Sequence, residues 1–406
     1  MTKRLLSVGL GLCVAAGSAR AQALYTEVTD THLPGGLAGP CMDSASADAD
    51  GDGDLDLALA MEFQPNILLL NDGAGVFTNA SSQLPRTAHD SEDIAFADFD
   101  ADGDLDLVLV SEDDEIDELY LNDGRGRFTD ASDRLRHAPA NTSNALAVLD
   151  LNNDGAPDVL TGDIGTDLAL INDGRANFTD DTARRWPQAG ASRTQDLELV
   201  DVDNDDDLDV VVANEGQNHL FLNDGEGRLI DATNGRLPSR DDESREIKAA
   251  DVDNDGDADL IVANVQFVFP WSRQDYLLLN DGSGVFADAR PRQLPDDDRD
   301  NFTIQVVDLD LDGDIDILAP STVFGTAAAG DYRVLLNDGA GYFSVAAPGS
   351  VLPAAANGNG FDIEVADFNR DGRDDLFFCN RDSSSVNPRA AAASGGLQRL
   401  LFRTAP

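Results

Sequence analysis

Basic residues are scarce in this sequence. Its 406 residues include 28 Lys and Arg against 77 Asp and Glu, which gives a formal net charge of −49 at pH 7. A surface with this charge repels the phosphates of nucleic acids and of anionic membranes. Nucleic acid is therefore excluded as a partner. The acidic residues carry the information instead, because many of them recur in clusters at a fixed spacing.

Long apolar segments are also missing, apart from one near the start. A run from Leu5 to Ala16 follows two basic residues and precedes small residues around Ala21. The run is shorter than the roughly 20 apolar residues that a bilayer span needs, and its flanks are those of an export signal. We therefore predict a signal peptide over residues 1–21 and a mature chain over 22–406. That chain is secreted or periplasmic and does not insert into a membrane.

Signatures of common hydrolase sites are absent as well. The four histidines are dispersed along the chain, and no two of them have the spacing of zinc ligands. No Gly-x-Ser-x-Gly motif presents a nucleophilic serine. The sequence thus offers no candidate catalytic residue.

What the sequence does contain is one acidic pattern in seven copies. The first copy runs from Asp48 to Asp56 and reads Asp-Ala-Asp-Gly-Asp-Gly-Asp-Leu-Asp. An alternating apolar stretch follows each copy and predicts a half-buried strand. The six later copies begin at intervals of 50, 52, 51, 50, 57 and 59 residues, at Asp98, Asp150, Asp201, Asp251, Asp308 and Asp367.

A second motif, Asn-Asp-Gly, lies farther along each of the first six repeats, between two apolar runs. These residues tolerate positive φ, so the motif predicts a tight turn between strands. Each repeat then has four strands: one entering the acidic cluster, one leaving it, one before Asn-Asp-Gly and one after. Four-stranded units of this length, repeated seven times, predict the blades of a β-propeller. The motif begins at Asn71, Asn122, Asn172, Asn223, Asn280 and Asn337.

The last repeat lacks its fourth strand, because the chain ends at Pro406. A matching segment lies at the other end, where residues 24–29 resemble residues 76–81 of the first repeat. We predict an all-β, seven-bladed propeller whose last blade is completed by this N-terminal strand, which removes an exposed edge. Cys41 and Cys379 lie in the first and last repeats, so they either form a disulfide that locks this closure or remain two thiols.

The acidic clusters have the composition of calcium loops. Carboxylates stand at loop positions 1, 3, 5 and 9 and glycine at position 6, and a hard cation such as Ca²⁺ prefers several oxygen ligands. An EF-hand would also need Glu at position 12 and a helix on each side. Position 12 of the first loop is Leu59, inside a predicted strand, which excludes EF-hands.

The acidic loops, the Asn-Asp-Gly-x-Gly-x-Phe turns and the seven units resemble FG-GAP or VCBS repeats and are similar to the integrin α-subunit propeller, a cell-adhesion protein. The resemblance covers nearly all of the mature chain. In that family the side chains at positions 1, 3, 5 and 9 and the carbonyl at position 7 hold calcium, which implies up to seven Ca²⁺ ions here. Four loops keep the whole set: Asp48, Asp50, Asp52, Asp54 and Asp56; Asp98, Asp100, Asp102, Asp104 and Asp106; Asp251, Asp253, Asp255, Asp257 and Asp259; Asp308, Asp310, Asp312, Asp314 and Asp316.

Three loops depart from the family pattern. The third and seventh have Asn at position 3, so the resemblance implies weaker sites there. In the fourth, Asp206 replaces the glycine and must adopt a positive φ at some cost. The calcium is expected to be structural, because crowded carboxylates repel one another until a cation bridges them. The ligand sets implied are Asp150, Asn152, Asp154 and Asp158; Asp201, Asp203, Asp205, Asp207 and Asp209; Asp367, Asn369, Asp371 and Asp375.

The connections on the face opposite the acidic loops vary in length, and the fifth repeat has a long one. It contains Phe267, Phe269, Trp271 and Arg273, an aromatic and cationic set that either stacks on a sugar or a peptide or packs locally.

A second candidate lies five residues before each cluster, where five of the seven repeats are acidic. If the first strands line the channel, these residues form a carboxylate ring at its far mouth that attracts a cation or an amine-bearing ligand. Ordinary surface acidity is the alternative. The five are Asp43, Asp93, Asp196, Glu246 and Asp362.

Three functions fit these features. The leading hypothesis is a non-enzymatic, calcium-binding module for binding or adhesion to an extracellular protein or glycan, because a rigid scaffold with variable loops often hosts recognition. The alternative is a secreted enzyme that cleaves a polysaccharide or a phosphoester. A third possibility is an extracellular structural or calcium-buffering protein.

Overall fold

The computed structural model describes residues 23–404 except 113–115, 136–141, 188–190, 290–292, 297, 324–329, 355 and 382–396. The predicted signal peptide, residues 1–21, lies outside the described residues. The described chain is almost entirely β-structure, which confirms the predicted all-β class. None of its helices is long and apolar enough to cross a bilayer.

The strands follow the sequence repeats. Strand β1 (Tyr25–Glu27) comes first. The first two repeats form β2 (Cys41–Ala47), β3 (Asp56–Pro65), β4 (Ile67–Asn71), β5 (Phe77–Asn79), β6 (Ala88–Ala97), β7 (Asp106–Ser111), β8 (Glu118–Asn122) and β9 (Phe128–Asp130). The next two form β10 (Ser143–Leu149), β11 (Asp158–Thr166), β12 (Leu168–Asn172), β13 (Phe178–Asp180), β14 (Ala191–Val200), β15 (Asp209–Gly216), β16 (His219–Asn223) and β17 (Leu229–Asp231). The last three form β18 (Asp242–Ala250), β19 (Asp259–Asn264), β20 (Tyr276–Asn280), β21 (Phe286–Asp288), β22 (Gln305–Val307), β23 (Asp316–Pro320), β24 (Tyr332–Asn337), β25 (Phe343–Val345), β26 (Gly360–Ala366), β27 (Asp375–Asn380) and β28 (Arg399–Arg403).

Helical structure is confined to single turns that follow the fourth strand of a unit or β1. Because each helix has only three or four residues, it closes a connection and does not form a packing layer. The turns are α1 (Thr29–His32), α2 (Thr182–Arg185), α3 (Thr233–Arg236) and two 3₁₀ turns at Ser81–Gln83 and Ser132–Arg134.

Each repeat folds into an antiparallel meander in which every strand pairs with the next one. In the first unit β2 pairs with β3, β3 with β4 and β4 with β5. The acidic loop joins the first strand to the second, and its position 9 is the first residue of the second strand, as at Asp56. The Asn-Asp-Gly turn joins the third strand to the fourth. Both motifs therefore lie at the same end of the unit.

The last unit is completed from the other end of the chain. Strands β26, β27 and β28 pair in order, and β1 then pairs antiparallel with β28, with Tyr25 opposite Arg403. This is the strand pairing that the match between residues 24–29 and 76–81 predicted.

The apolar core lies between units. The second strands are buried on both faces, as in β3, where Leu57 and Leu59 on one face and Ala58 and Ala60 on the other are fully buried. One apolar cluster combines Leu57 and Leu69 of the first unit with Phe377 and Leu400 of the last. Because each unit buries its faces against its neighbours, no unit has a complete core of its own.

Asparagine side chains connect the units. Besides forming its own turn, Asn122 donates its side-chain N–H to the carbonyl of Ala49 in the preceding acidic loop, at 2.8 Å. Asn71 does the same to Phe368 of the last unit, at 2.9 Å. The Asn-Asp-Gly motif thus sets the spacing between neighbouring units as well as the turn.

A disulfide joins the first and last units. Cys41 in β2 and Cys379 in β27 are bonded, with their Cα atoms 5.3 Å apart and a sequence separation of 338. Of the two alternatives that the sequence left open, the structure forms the disulfide.

The disulfide should contribute to stability by closing this long loop in the unfolded chain. We expect the double variant Cys41→Ala/Cys379→Ala to lose roughly 2 to 5 kcal/mol of unfolding free energy, measured by chemical denaturation. A reducing agent should destabilise the parent protein similarly and leave the double variant unchanged. Equal stability of parent and variant without reductant would contradict this assignment.

Candidate metal loops and the opposite channel mouth

The position-1 carboxylate organises each acidic loop. In the first loop, Asp48 accepts the backbone N–H of Gly51 at 2.8 Å and that of Gly53 at 2.9 Å. Gly53 has a φ of 90°, in the region that favours glycine. In the fourth loop Asp206 stands at this position with a φ of 72°, so the predicted positive φ of a non-glycine residue is found.

Position 4 also takes a left-handed conformation, which the sequence did not predict. In several loops the side chain at this position reaches the next unit. Asn254 donates to the Asp314 carboxylate at 3.1 Å, and Asn204 donates to Asp257 at 3.0 Å. In the seventh loop Arg370 takes this position and forms an ion pair with Asp54 of the first loop. Three asparagines at position 4 of different repeats were the available signal.

The predicted ligands converge in space. Carboxylate oxygens from three residues of one loop lie within 4.8 Å of one another in several loops, which is close enough for one ion to contact all three. The sets are Asp48, Asp50 and Asp56; Asp98, Asp100 and Asp106; Asp201, Asp203 and Asp209; Asp251, Asp253 and Asp255.

Position 3 supplies an independent indication of a cation. One side-chain oxygen there is buried without a hydrogen-bond partner in four loops. Buried polar atoms are normally paired, and a carboxylate oxygen without a proton donor fits a metal ligand. Burial raises the pKa of Asp253, and repulsion from Asp255 raises it further. The residues therefore fit Ca²⁺ in three respects: their donor atoms are oxygens, these oxygens converge, and the oxygen at position 3 lacks a hydrogen-bond partner. The four oxygens are Oδ1 of Asp100, Asp203, Asp253 and Asp310.

Position 9 has a structural role in addition. Asp56 is fully buried and accepts the backbone N–H of Asn71 at 2.8 Å and that of Ala49 at 3.0 Å. It thereby joins the acidic loop to the Asn-Asp-Gly turn. Burial raises the pKa of Asp56 to about 7, although the hydrogen bonds from the two N–H groups act to lower it. The side chain thus holds the loop in shape and leaves lone pairs for an ion.

A cavity of about 300 Å³ opens at the other end of the first strands. Its lining includes all five acidic residues predicted to ring the far mouth: Asp43, Asp93, Asp196, Glu246 and Asp362. The structure therefore brings together residues that are far apart in sequence.

These carboxylates bind the backbone of the neighbouring unit. Asp43 accepts the N–H of Ile94 at 3.0 Å, and Asp93 accepts that of Leu146 at 2.8 Å. Asp362 of the last unit accepts that of Ser44 in the first, at 3.1 Å. The first strands have a free edge, and their amides need such acceptors. Asp196 with Ile247 and Glu246 with Ile304 repeat the contact.

The four residues of the predicted aromatic and cationic set lie in different surroundings. Phe267 lines the cavity, whereas Phe269 and Trp271 stack on each other with ring centroids 4.3 Å apart. Arg273 contacts Asp298 and Asp300, at 3.6 and 3.4 Å. Only Phe267 of the four contributes to the cavity lining.

One lysine offsets part of the acidic charge. Lys248 follows Glu246 by two residues in β18 and contacts its carboxylate at 2.7 Å. Burial alone would lower the pKa of Lys248, but Glu246, Asp196 and Glu198 outweigh it and raise the pKa well above its usual value. A single lysine in a strand gave no signal in the sequence.

Comparison with known proteins points to one family. The model of the FG-GAP-like repeat matches residues 48–109, 98–161, 150–212 and 201–262, which together span more than half of the chain. No curated protein matches.

Solved structures of propeller proteins share the fold. BBS1N in complex with ARL6DN, from crystals soaked with lead, matches with a TM-score of 0.55 at 11% identity and covers 95% of this chain and 98% of its own. The mercury-soaked complex has the same TM-score and coverage at 10% identity. An Agrocybe aegerita lectin, solved for its recognition of non-reducing terminal N-acetylglucosamine, has a TM-score of 0.47 at 18% identity and covers 76% of this chain and 80% of its own.

Neutralising Asp253 should have opposite effects with and without calcium. In excess EDTA, Asp253→Asn should melt at or above the parent temperature, because it removes a partly buried carboxylate that Asp255 repels. In excess Ca²⁺ it should melt roughly 2 to 4 °C lower, because one ion is lost. Thermal melts in both buffers measure this. Asp296→Asn, an exposed residue outside the loops, serves as the control and should change neither melt. A loss of equal size in both buffers would contradict a metal role.

Removing Lys248 should lower the unfolding free energy of the protein by an amount that depends on pH. We expect Lys248→Met to lose about 2 kcal/mol at pH 9, where the carboxylates around it are largely ionised. Burial raises the pKa of Asp196 to about 8 and that of Asp362 to about 7, so both are largely protonated at pH 5 and the loss should be smaller there. Urea unfolding at the two pH values measures the difference, and an equal loss at both would contradict it.

Proposed function

This chain belongs to the FG-GAP-like repeat family, and on that premise we propose that it is a secreted, calcium-stabilised, seven-bladed β-propeller that binds an extracellular protein or glycan without catalysis. The mature protein would comprise residues 22–406, with residues 1–21 removed as a signal peptide. Binding and adhesion are the roles that the fold and the arrangement of its two ends favour.

Closure into a seven-bladed ring is supported by contacts between the last and first units. These include the hydrogen bond from Asn71 to Phe368 and the disulfide between Cys41 and Cys379, while β1 pairs with β28 to complete the last unit. The same asparagine hydrogen bond joins consecutive units elsewhere, as from Asn122 to Ala49. In a closed ring, the first unit contacts the last unit in the same way as it contacts the second.

The calcium role is supported by the unpaired buried oxygens at position 3. A bound Ca²⁺ would supply positive charge to the carboxylates at positions 1, 3, 5 and 9. The chain itself prepares the site: position 1 holds the backbone of the loop, and position 9 fixes the loop to its turn. The third and seventh loops offer one neutral oxygen in place of a carboxylate, so their affinity should be lower.

The observation that carries the binding role is the cavity opposite the acidic loops. Its walls come from the first strands and from long connections of several units, which the ring holds in fixed positions. Ligand sites are commonly concave and formed where several elements meet. The metal loops stabilise one end of the ring, and the other end remains available for recognition.

Calcium removal and ligand arrays test this proposal together. The purified chain should bind between four and seven Ca²⁺ ions in equilibrium dialysis, since four loops keep the whole ligand set. Its melting temperature should fall after EDTA treatment and recover on adding Ca²⁺. An unchanged melt with no bound calcium would contradict the metal role.

Arrays of glycans and extracellular proteins, probed in Ca²⁺ and in EDTA, address the binding role. Calcium-dependent capture without chemical change of the captured ligand is the expected result. Release of a cleaved product would favour a polysaccharide- or phosphoester-cleaving enzyme. Calcium binding without any captured ligand would favour a structural or calcium-buffering protein.

A further inference from the structure

We propose that the cavity at the channel mouth binds a lysine or arginine side chain of a basic polypeptide segment. This rests on the proposed binding function and names the class of ligand. The cavity has a volume of about 300 Å³, the lower end of the range for small-ligand sites. One or two long side chains fill such a space, whereas an extended oligosaccharide exceeds it.

The charge of the lining favours a cation. Nine carboxylates and three guanidinium groups line the cavity. All three arginines are already in ion pairs: Arg193 with Glu215, Arg245 with Glu215 and Glu243, and Arg381 with Glu62. An anionic ligand would have to compete with these glutamates, and a cationic ligand would not.

Repulsion among the carboxylates shows what a bound cation would relieve. Burial raises the pKa of Asp43, and the charges of Asp362 and Asp93 raise it further. Burial likewise raises the pKa of Glu92, with added repulsion from Glu112. Lys248 contacts Glu246 at 2.7 Å and also acts to lower the pKa of Asp93 and of Asp362, yet burial keeps the pKa of both residues raised. A ligand ammonium or guanidinium group in the cavity would stabilise the ionised carboxylates there.

One wall of the cavity is aromatic. Phe302 and Phe361 stack with ring centroids 4.7 Å apart, and Phe267 meets the edge of Phe302 at 6.3 Å. Arg245 and Arg381 already lie over two of these rings, at 5.2 and 5.3 Å. The wall thus accommodates guanidinium groups and would also pack against the methylene stem of a lysine.

The loop that carries Phe267 is held open by one buried carboxylate. Glu243 is fully buried and accepts the backbone N–H groups of Phe267, Val268 and Phe269, at 3.1, 3.0 and 3.0 Å. As a result Phe267 and Val268 remain 52% and 55% exposed. An apolar pair fixed at the rim in this way needs little reorganisation on binding, which favours affinity.

Fluorescence anisotropy with labelled peptides tests the assignment on the calcium-loaded protein. The probes are a peptide of alternating Lys and Gly, the same peptide with acetylated lysines, and the corresponding Glu peptide. We expect the Lys peptide to bind at least tenfold more tightly than either of the others, with an affinity that falls as salt is added. Free spermidine should displace it, since both carry ammonium groups.

Matched variants locate the site. Phe267→Ala should weaken Lys-peptide binding about tenfold, and Asp93→Asn should do the same while still accepting the N–H of Leu146. Tyr342→Ala is the control: this residue is 49% exposed and follows an Asn-Asp-Gly turn at the opposite end, so its removal should leave binding unchanged. The melting temperature of each variant in Ca²⁺ shows whether it is folded.

Three results would overturn the assignment. They are equal binding of the Lys and acetyl-Lys peptides, binding of spermidine with none of the Lys peptide, and equal effects of Phe267→Ala and Tyr342→Ala. These results are separable from failure of the proposed function. A protein that captures another ligand on the arrays, with Phe267→Ala unaffected, keeps the binding role and loses only this site.

Discussion

The structure depends on carboxylates that accept backbone N–H groups. Within a repeat, the position-9 aspartate holds the acidic loop against the adjacent turn, as Asp56 does with Asn71 and Ala49. Between repeats, Asp43 and Asp93 satisfy amides on the free edge of the neighbouring first strand. Since unpaired amides facing a channel are costly, these acidic side chains stabilise the same assembly that their mutual repulsion opposes.

The two ends of the molecule resolve this opposition differently. At one end the carboxylates of each loop converge closely enough for a metal ion to offset their charge, as at Asp48, Asp50 and Asp56. At the other end the carboxylates are spread around an open cavity. The protein's own ion-paired arginines and Lys248 offset only part of their negative charge. With a cation bound in each loop, neither end would leave all of its charge without a counterpart, and a chain with so large an excess of acid could be stable.

Repetition made most of the fold predictable from sequence. The acidic clusters and Asn-Asp-Gly turns located the strand boundaries, and the likeness of residues 24–29 to 76–81 located the strand that pairs with β28. Features that occur once were not predictable. Lys248 gives no pattern because one lysine in a strand resembles any surface residue. Trp271 was grouped with Phe267 by proximity in sequence, yet its stacking on Phe269 depends on the path of the loop.

The pairing of β1 with β28 also constrains how the protein is made. The ribosome synthesises β1 before strands β2 to β27, so its partner β28 is available only after all of those strands have emerged. Until then, β1 has no partner strand, while the intervening repeats pack against one another. Pairing of β1 with β28 is therefore a late event in biosynthesis, and any premature stop upstream of Arg399 would leave β1 and the outer edge of β27 unpaired and open to association with other chains.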